Sequence, residues 1–369
     1  MQLDRFARDL LQWFDSHGRT HMPWRNDRSP YRVWLSEIML QQTQVATVIP
    51  YYERFLSRFP DVRALAAAPL DEVLALWAGL GYYARARNLH RCAQAVVRDH
   101  GGELPRDIDT LMALPGIGRS TAGAILAFSC GQRHPILDGN ARRVLARYHA
   151  VRGPPNLRAV ENRMWELADA HTPATRVADY TQAIMDLGAT VCRRARPHCT
   201  ICPLAGDCRA RNDGDVDRYP ASKARGRPPV RSRLFLIVQR ASGHILLEAR
   251  PPTGIWGGLW SLPELDAQTG IEAWCVAHGL RVRRSTSWEV MRHAFSHFHL
   301  DIHPLLLEVQ TSTRAAMDAD RWLWYKVGDA IEVGLPAPVR RLLDRLDAHD
   351  RPETPDDPHR TLRKARQDR

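Results

Sequence analysis

Lysine is almost missing from this chain. It occurs only at Lys223, Lys326 and Lys364, and arginine supplies nearly all of the 52 basic residues. Imine chemistry needs a free amine, and a guanidinium cannot replace one because it keeps its proton in a protein. A lysine nucleophile is therefore excluded from the first 222 residues. Also absent is any apolar run of eighteen residues, and the stretch from Met1 to Trp13 is charged throughout. That pattern predicts no spanning helix and no secretory leader, and so a cytoplasmic protein. No internal repeat is visible.

The chain has 369 residues, room for two domains with buried cores. Its formal charge of +11 suits a polyanionic partner, since basic side chains release counterions from phosphates. Charge alone argues this only modestly, because many soluble proteins are basic. Four of the seven cysteines fall together at Cys192, Cys199, Cys202 and Cys208, whereas Cys92, Cys130 and Cys275 are scattered. In a reducing compartment such a cluster reads as metal ligation before disulfides.

Up to about Cys208 the apolar residues recur at three- and four-residue spacing, as in Asp71 to Trp77 and Ser120 to Phe128. This predicts an all-α N-terminal domain over residues 1–209. A polar, basic, Pro/Gly-rich stretch then reads as a linker over 210–232. Strand-like runs follow at Leu234–Val238, His244–Glu248, Phe298–Ile302 and Pro304–Val309, with helical stretches at Ile271–His278 and Pro338–Leu346. They predict an α+β domain over 233–348. The charged tail, 349–369, is expected to be disordered.

The cysteines form C-x6-C-x2-C-x5-C, and four thiolates within seventeen residues can wrap one metal centre. Structural zinc more often uses paired C-x2-C knuckles, whereas a compact run suits one [4Fe–4S] cluster with one thiolate per iron. The first gap, Arg193 to His198, is a basic loop pinned at its ends, and Arg194 is a candidate for phosphate contact. In this spacing the chain resembles the endonuclease III-like DNA glycosylases.

Leu114-Pro115-Gly116-Ile117-Gly118-Arg119-Ser120-Thr121 lies between two helical runs. Its two glycines permit a tight hairpin, within about 111–128, whose amides and following helix N-terminus bind phosphate without reading sequence. Alone it could be an ordinary turn. Followed by Asp138 and the cysteines, it resembles the helix-hairpin-helix glycosylase layout, with Gly116, Gly118 and Ser120 at the DNA backbone.

Asp138 precedes a helical run, where it can be an N-cap, a carboxylate stabilised as the anion, or both. Glu37 sits in an otherwise largely apolar helix, Trp34 to Thr43. It is either a buried carboxyl paired with an arginine or an acid whose raised pKa suits it to give up a proton near neutrality. Two carboxyls with pKa values pushed apart form the pattern of glycosidic cleavage.

From about Trp13 to Leu346 the chain resembles the adenine DNA glycosylases. The resemblance implies that Glu37, within Ser36-Glu37-Ile38-Met39-Leu40-Gln41-Gln42-Thr43, protonates adenine N7. It implies that Asp138 stabilises the oxocarbenium-like sugar or adds to it transiently, and that Asn140 orients that centre. Trp24, Leu40 and Gln182 match positions lining the adenine pocket. Gln42, Thr43, Leu80 and Tyr82 match those that wedge the duplex and hold the opposite base, although Leu80 and Tyr82 could instead be core residues. Arg142 stands where close relatives can carry lysine and is expected to touch phosphate. Bifunctional relatives place a lysine where this chain has Ser120, so base removal without an efficient lyase step is expected.

The C-terminal domain resembles the Nudix fold, with Trp256 to Pro263 matching its entrance strand. One glutamate, Glu272, cannot form the magnesium-binding box, so the domain reads as a recogniser rather than a hydrolase. Phe295-Ser296-His297-Phe298-His299 resembles the loop that senses 8-oxoguanine, with Ser296 on one side of the oxidised base and Tyr82 and Gln42 on the other. His299 reads better as part of an aromatic cluster. The implied partner is double-stranded DNA carrying adenine opposite 8-oxoguanine or guanine, bound by a monomer away from membranes. Rival readings are a bifunctional enzyme for oxidised pyrimidines, a silent damage sensor and a Nudix phosphohydrolase. The missing lysine, the retained Glu37 and Asp138, and the missing glutamates argue against them in turn.

Overall fold

The computed structural model describes residues 3–155, 157–221, 226–266, 270–311, 321–327, 329 and 333–350. Two compact units emerge, Met1–Gly226 and Arg227–Arg369. Among the described residues no helix is long and apolar enough to cross a membrane.

The first unit is helical: α1 (Arg5–His17), α2 (Pro30–Leu40), α3 (Val45–Arg58), α4 (Val62–Ala67), α5 (Leu70–Trp77), α6 (Ala84–Asp99), α7 (Ile108–Ala113), α8 (Arg119–Cys130), α9 (Gly139–Tyr148), α10 (Arg158–His171), α11 (Val177–Thr190) and α12 (Arg209–Asn212). Side-chain oxygens of Asp4, Asp61, Asp107 and Asp138 cap α1, α4, α7 and α9, satisfying amides that have no partner inside a helix. One core joins α1 to α9 and α11 through Phe6, Leu10, Phe14, Leu145, Ile184 and Leu187. Elsewhere Phe55 packs edge-on against Phe59 and Trp77, so α3 and α5 share aromatic contacts.

The segment expected to be a linker starts as packed structure. Ala210 and Tyr219 are buried, and the carbonyls of Val216 and Tyr219 accept from the Arg147 guanidinium. Lys223 lies outside the described residues, as does the tail from 351 onward.

The second unit is a mixed sheet of β1 (Val230–Arg240), β2 (His244–Ala249), β3 (Trp260–Ser261), β4 (Glu264–Leu265), β5 (Leu280–Ser287), β6 (Met291–Ala294), β7 (His299–Thr311) and β8 (Trp322–Lys326), with α13 (Ile271–Ala277) and α14 (Ala337–Asp350). The main order is β3-β2-β1-β7-β5, and β1 pairs with β7 in parallel. Two sequence expectations change here. Phe298–Ile302 and Pro304–Val309 belong mostly to one strand that runs through Pro304. Trp288 donates to the Pro304 carbonyl at 2.9 Å, and the missing proline N–H faces the same side, where β5 has ended and β6 has not begun. The expected entrance strand at Trp256 to Pro263 is mostly turn, with only Trp260–Ser261 in the sheet. Positive φ at Gly254, Trp256 and Gly258 is incompatible with an extended strand.

The approach of α11 to α9 is limited by Gly188. A Cβ there would lie 2.9 Å from the Asn140 Cα and 3.0 Å from its carbonyl oxygen. Gly188→Ala gains about 1 kcal/mol of helix propensity but overpacks backbone at a cost of about 1–3 kcal/mol. Urea denaturation should show a net loss of about 1 kcal/mol.

Candidate functional site

An open cleft of about 1890 Å³ lies in the helical unit, where the end of α2, the start of α8, the start of α9 and one face of α11 come together. Glu37, Leu40, Gln42 and Thr43 line it with Trp24, Ser120, Asp138, Asn140 and Gln182. A smaller pocket of about 310 Å³ shares Trp24, Glu37 and Gln182 with the cleft and adds Arg25, Arg28 and Phe128. Residues scattered from Arg19 to Ala189 thus share one cavity system.

Its two carboxyls are held differently. Glu37 projects from α2 and, among the described residues, has no hydrogen-bond or salt-bridge partner. No arginine neutralises it, and burial, with a smaller push from Asp138, raises its pKa to about 8. Asp138 is the N-cap of α9. One oxygen accepts from the Ala141 amide at 2.8 Å and the other from the Asn140 side chain at 3.1 Å. Burial raises its pKa as well, and the amides of Ala141 and Asn140 with the charge on Arg143 recover only part of that. The expected stabilisation of the anion by the helix start is present but is outweighed by desolvation.

Ser120, one residue into α8, accepts from the Leu137 amide at 3.0 Å, so its hydroxyl fixes the backbone just before Asp138. In the hairpin, Gly116 has φ +80° and its Cβ would meet Asn88 at 2.7 Å, while Gly118 caps α8 and has open space around it. Ile117 is buried as the plug of the turn. Arg142 does not reach the cleft; it faces Glu161 at 3.6 Å and the Pro155 carbonyl at 3.5 Å.

Two short loops flank the cleft. Gln42 and Tyr82 both have left-handed backbone, with φ of 58° and 50°, a conformation that costs a non-glycine residue about 1–3 kcal/mol. Tyr82 is 47 % exposed, whereas Leu80 is 6 % exposed and packs as a core residue in this state. Arg85, which sequence reasoning missed, ties the loops together. Its guanidinium donates to the carbonyls of Ile38 and Met39 at 2.7 and 2.8 Å, to Thr43 Oγ1 at 3.1 Å and to the Gly81 carbonyl at 3.2 Å. It also lies over the rings of Trp77 and Tyr82. A signal was available: Arg85 lies four residues before Leu89 on the buried stripe of α6.

The four clustered cysteines line one mostly apolar pocket of about 400 Å³ with Val144, Leu187 and Leu204. Burial pushes the Cys202 thiol up to about 12 and raises Cys208 too, so these sulfurs ionise only against a strongly positive centre. Among the described residues no group of three or more His, Cys, Asp or Glu is arranged to hold a metal ion. The donor set fits an iron–sulfur cluster, which takes four thiolates around several irons. Arg147 supports the loop, donating to Cys192 Sγ at 3.3 Å and to the carbonyls of Arg193 and Arg194 at 2.7 and 3.3 Å. The Arg194 side chain is exposed. Arg143 spans from the Cys192 carbonyl, at 2.7 Å, to Asn140 Oδ1, at 2.9 Å.

In the second unit, Ser296 and His297 form the exposed tip of a turn closed by Phe295 N–H on the Phe298 carbonyl at 2.9 Å, with the two phenyl rings stacked at 4.4 Å. Among the described residues, His299 Nδ1 is buried without a partner. Glu272 is exposed in the first turn of α13.

Comparison with known proteins extends this picture. The model of the HhH-GPD superfamily base excision DNA repair proteins matches residues 35–170, and a NUDIX domain model matches residues 234–345. The adenine DNA glycosylase of Buchnera aphidicola subsp. Acyrthosiphon pisum is 34 % identical over 341 residues, covering 92 % of this chain and 97 % of its own. The human adenine DNA glycosylase is 35 % identical over 388 residues, covering 87 % and 70 %. A solved thermostable thymine-DNA glycosylase is 28 % identical, with a TM-score of 0.52 over 56 % of this chain and 95 % of its own. A match that runs through both units and nearly the full length of a relative makes this chain a member of the adenine DNA glycosylase family.

Proposed function

We propose that the protein hydrolyses the N-glycosidic bond of adenine opposite 8-oxoguanine or guanine in duplex DNA, without an efficient strand-cleaving step. The observation that carries this reading is the sharing of one cleft by Glu37 and Asp138, a carboxyl held protonated and a carboxylate fixed by donors. An adenine flipped from the stack would enter beside Trp24 and Gln182, where Glu37 gives a proton to N7. Protonation makes the base a better leaving group. Asp138 then faces the positive charge that develops on the sugar, held in place by Asn140 and by the Ser120 hydroxyl behind Leu137. Water then adds to C1′ of the sugar and gives up a proton, completing the hydrolysis; with serine at that position and no lysine before residue 223, the helical unit up to there offers no lysine amine to trap the opened abasic sugar.

Cys192, Cys199, Cys202 and Cys208 would hold one [4Fe–4S] cluster, whose chemistry here is to cross-link the chain and carry no substrate. The basic loop from Arg193 to His198 and the hairpin amides at Gly116 and Gly118 would take the phosphate backbone. Gln42, Thr43 and Tyr82 would open the duplex, and Ser296 on its exposed turn would read the oxidised base. Arg142, paired with Glu161 in this state, would join the phosphate contacts only on release from it.

Under single-turnover conditions, adenine should leave duplexes containing 8-oxoguanine or guanine opposite it, with strand scission mainly after alkali. Glu37→Gln should lower that rate by at least roughly 100-fold while keeping duplex affinity. Scission of a thymine-glycol duplex at neutral pH would instead support a bifunctional enzyme. The rate should fall as pH rises through about 8, where Glu37 loses its proton. An acid limb should appear above the ordinary aspartate range, where Asp138 gains one. A flat profile between pH 6 and 9 would refute these assignments. Anaerobically purified protein should absorb near 400 nm (roughly, for this cluster type) and contain about four irons per chain, and a colourless zinc-bound product would overturn the cluster.

A further inference from the structure

Asp186 is fully buried on α11, one turn beyond Gln182. Three donors from Arg19 hold it: the backbone amide to Oδ2 at 2.8 Å, and Nε and Nη2 to Oδ1 at 2.9 and 2.7 Å. Its Oδ1 also accepts from Gln182 Nε2 at 2.8 Å. An ion-paired carboxylate offers only acceptors, so the amide end that meets it must be the NH2. Gln182, itself 7 % exposed, lines the cleft and the smaller pocket beside Glu37. Its carbonyl oxygen is the end left without a protein partner among the described residues.

We propose that Asp186, clamped by Arg19, is a positioning residue that fixes the polarity of the Gln182 amide, so that the pocket reads an exocyclic amino group and rejects a 6-oxopurine. The inference rests on the adenine-releasing function proposed above and adds the device that sets its selectivity. Adenine presents a donor at its 6-position, which the Gln182 oxygen accepts. Hypoxanthine, of nearly the same shape, presents an oxygen there. Two acceptors then face each other away from water, and the amide cannot rotate to relieve them without turning its oxygen on Asp186. Leaving such a group unsatisfied costs a factor of roughly 10 to 100.

The test compares single-turnover release of adenine and hypoxanthine, each opposite 8-oxoguanine, by the wild type, Asp186→Asn and Gln182→Met. The wild type should favour adenine by roughly 10- to 100-fold. Asparagine loses the ion pair with Arg19 and one of the two acceptors, so the Gln182 amide is no longer held to one orientation; Asp186→Asn should narrow the ratio at least fivefold, by slowing adenine and quickening hypoxanthine. Gln182→Met should erase most of the ratio, by slowing adenine and relieving the clash with hypoxanthine. A merely structural role would slow both bases equally, so a folded Asp186→Asn with an unchanged ratio overturns the proposal. If that variant does not fold, an unchanged ratio in Gln182→Met overturns it instead. Absence of adenine release by the wild type would sink the glycosylase reading and this proposal together, whereas adenine release with unaltered selectivity in the variants sinks this proposal alone.

Discussion

A guanidinium buried, among the described residues, with no carboxylate against it is the constraint on which much of the helical unit depends. Arg147 is 3 % exposed and spends its donors on the carbonyls of Arg193, Arg194, Val216 and Tyr219 and on Cys192 Sγ. None of these acceptors lies on its own helix. The cysteine loop, the segment after it and α9 are thus fastened at one point, and removing that point would strand the buried Tyr219 carbonyl at a cost of about 1–3 kcal/mol and release the part-buried carbonyls of Arg193, Arg194 and Val216. Because α9 begins at Asp138, whatever fixes its far end also fixes the axis on which that carboxylate is carried. Arg143, one turn earlier, repeats the connection from the Cys192 carbonyl to the Asn140 side chain. The cysteine loop and the cleft are therefore joined through α9.

The same economy of partners governs the cleft. Among the described residues Glu37 is left without a counter-ion while Asp138 is given donors that offset part of the desolvation raising both carboxyls. Asp186, equally buried, shows what full neutralisation looks like: two guanidinium bonds, a backbone amide and a glutamine amide. Three carboxyls within the cleft region differ by what was placed next to them rather than by residue type.

Features written in local sequence could be read in advance. The cysteine spacing, the Gly116–Gly118 hairpin and the capping role of Asp138 depend on neighbours within a few positions, and so does the helical periodicity of the first unit. Contacts between distant residues were not legible. Arg19 and Asp186 are 167 positions apart, and Arg147 meets Tyr219 across 72. The raised pKa of Asp138 was missed for the same reason, since local donors predict an anion and only the assembled walls supply the desolvation. Pro304 misled in the opposite direction. Proline normally argues against a central strand, and only the break between β5 and β6 on that side makes it acceptable.

The left-handed backbone at Gln42 and Tyr82 has a consequence for search along DNA. Both residues are held in an unfavourable conformation by the folded protein, with Arg85 bridging their loops, so the conformational cost was met at folding. On the proposed reading, a probe already in shape need not order itself at each base pair it tests. The barrier to each trial insertion is then set by how firmly that step of the duplex is stacked and paired. A rigid probe sliding over well-paired DNA is turned away quickly, and it lingers where pairing is weak. Discrimination in time would begin with the softness of the lesion itself, before any base reaches the pocket.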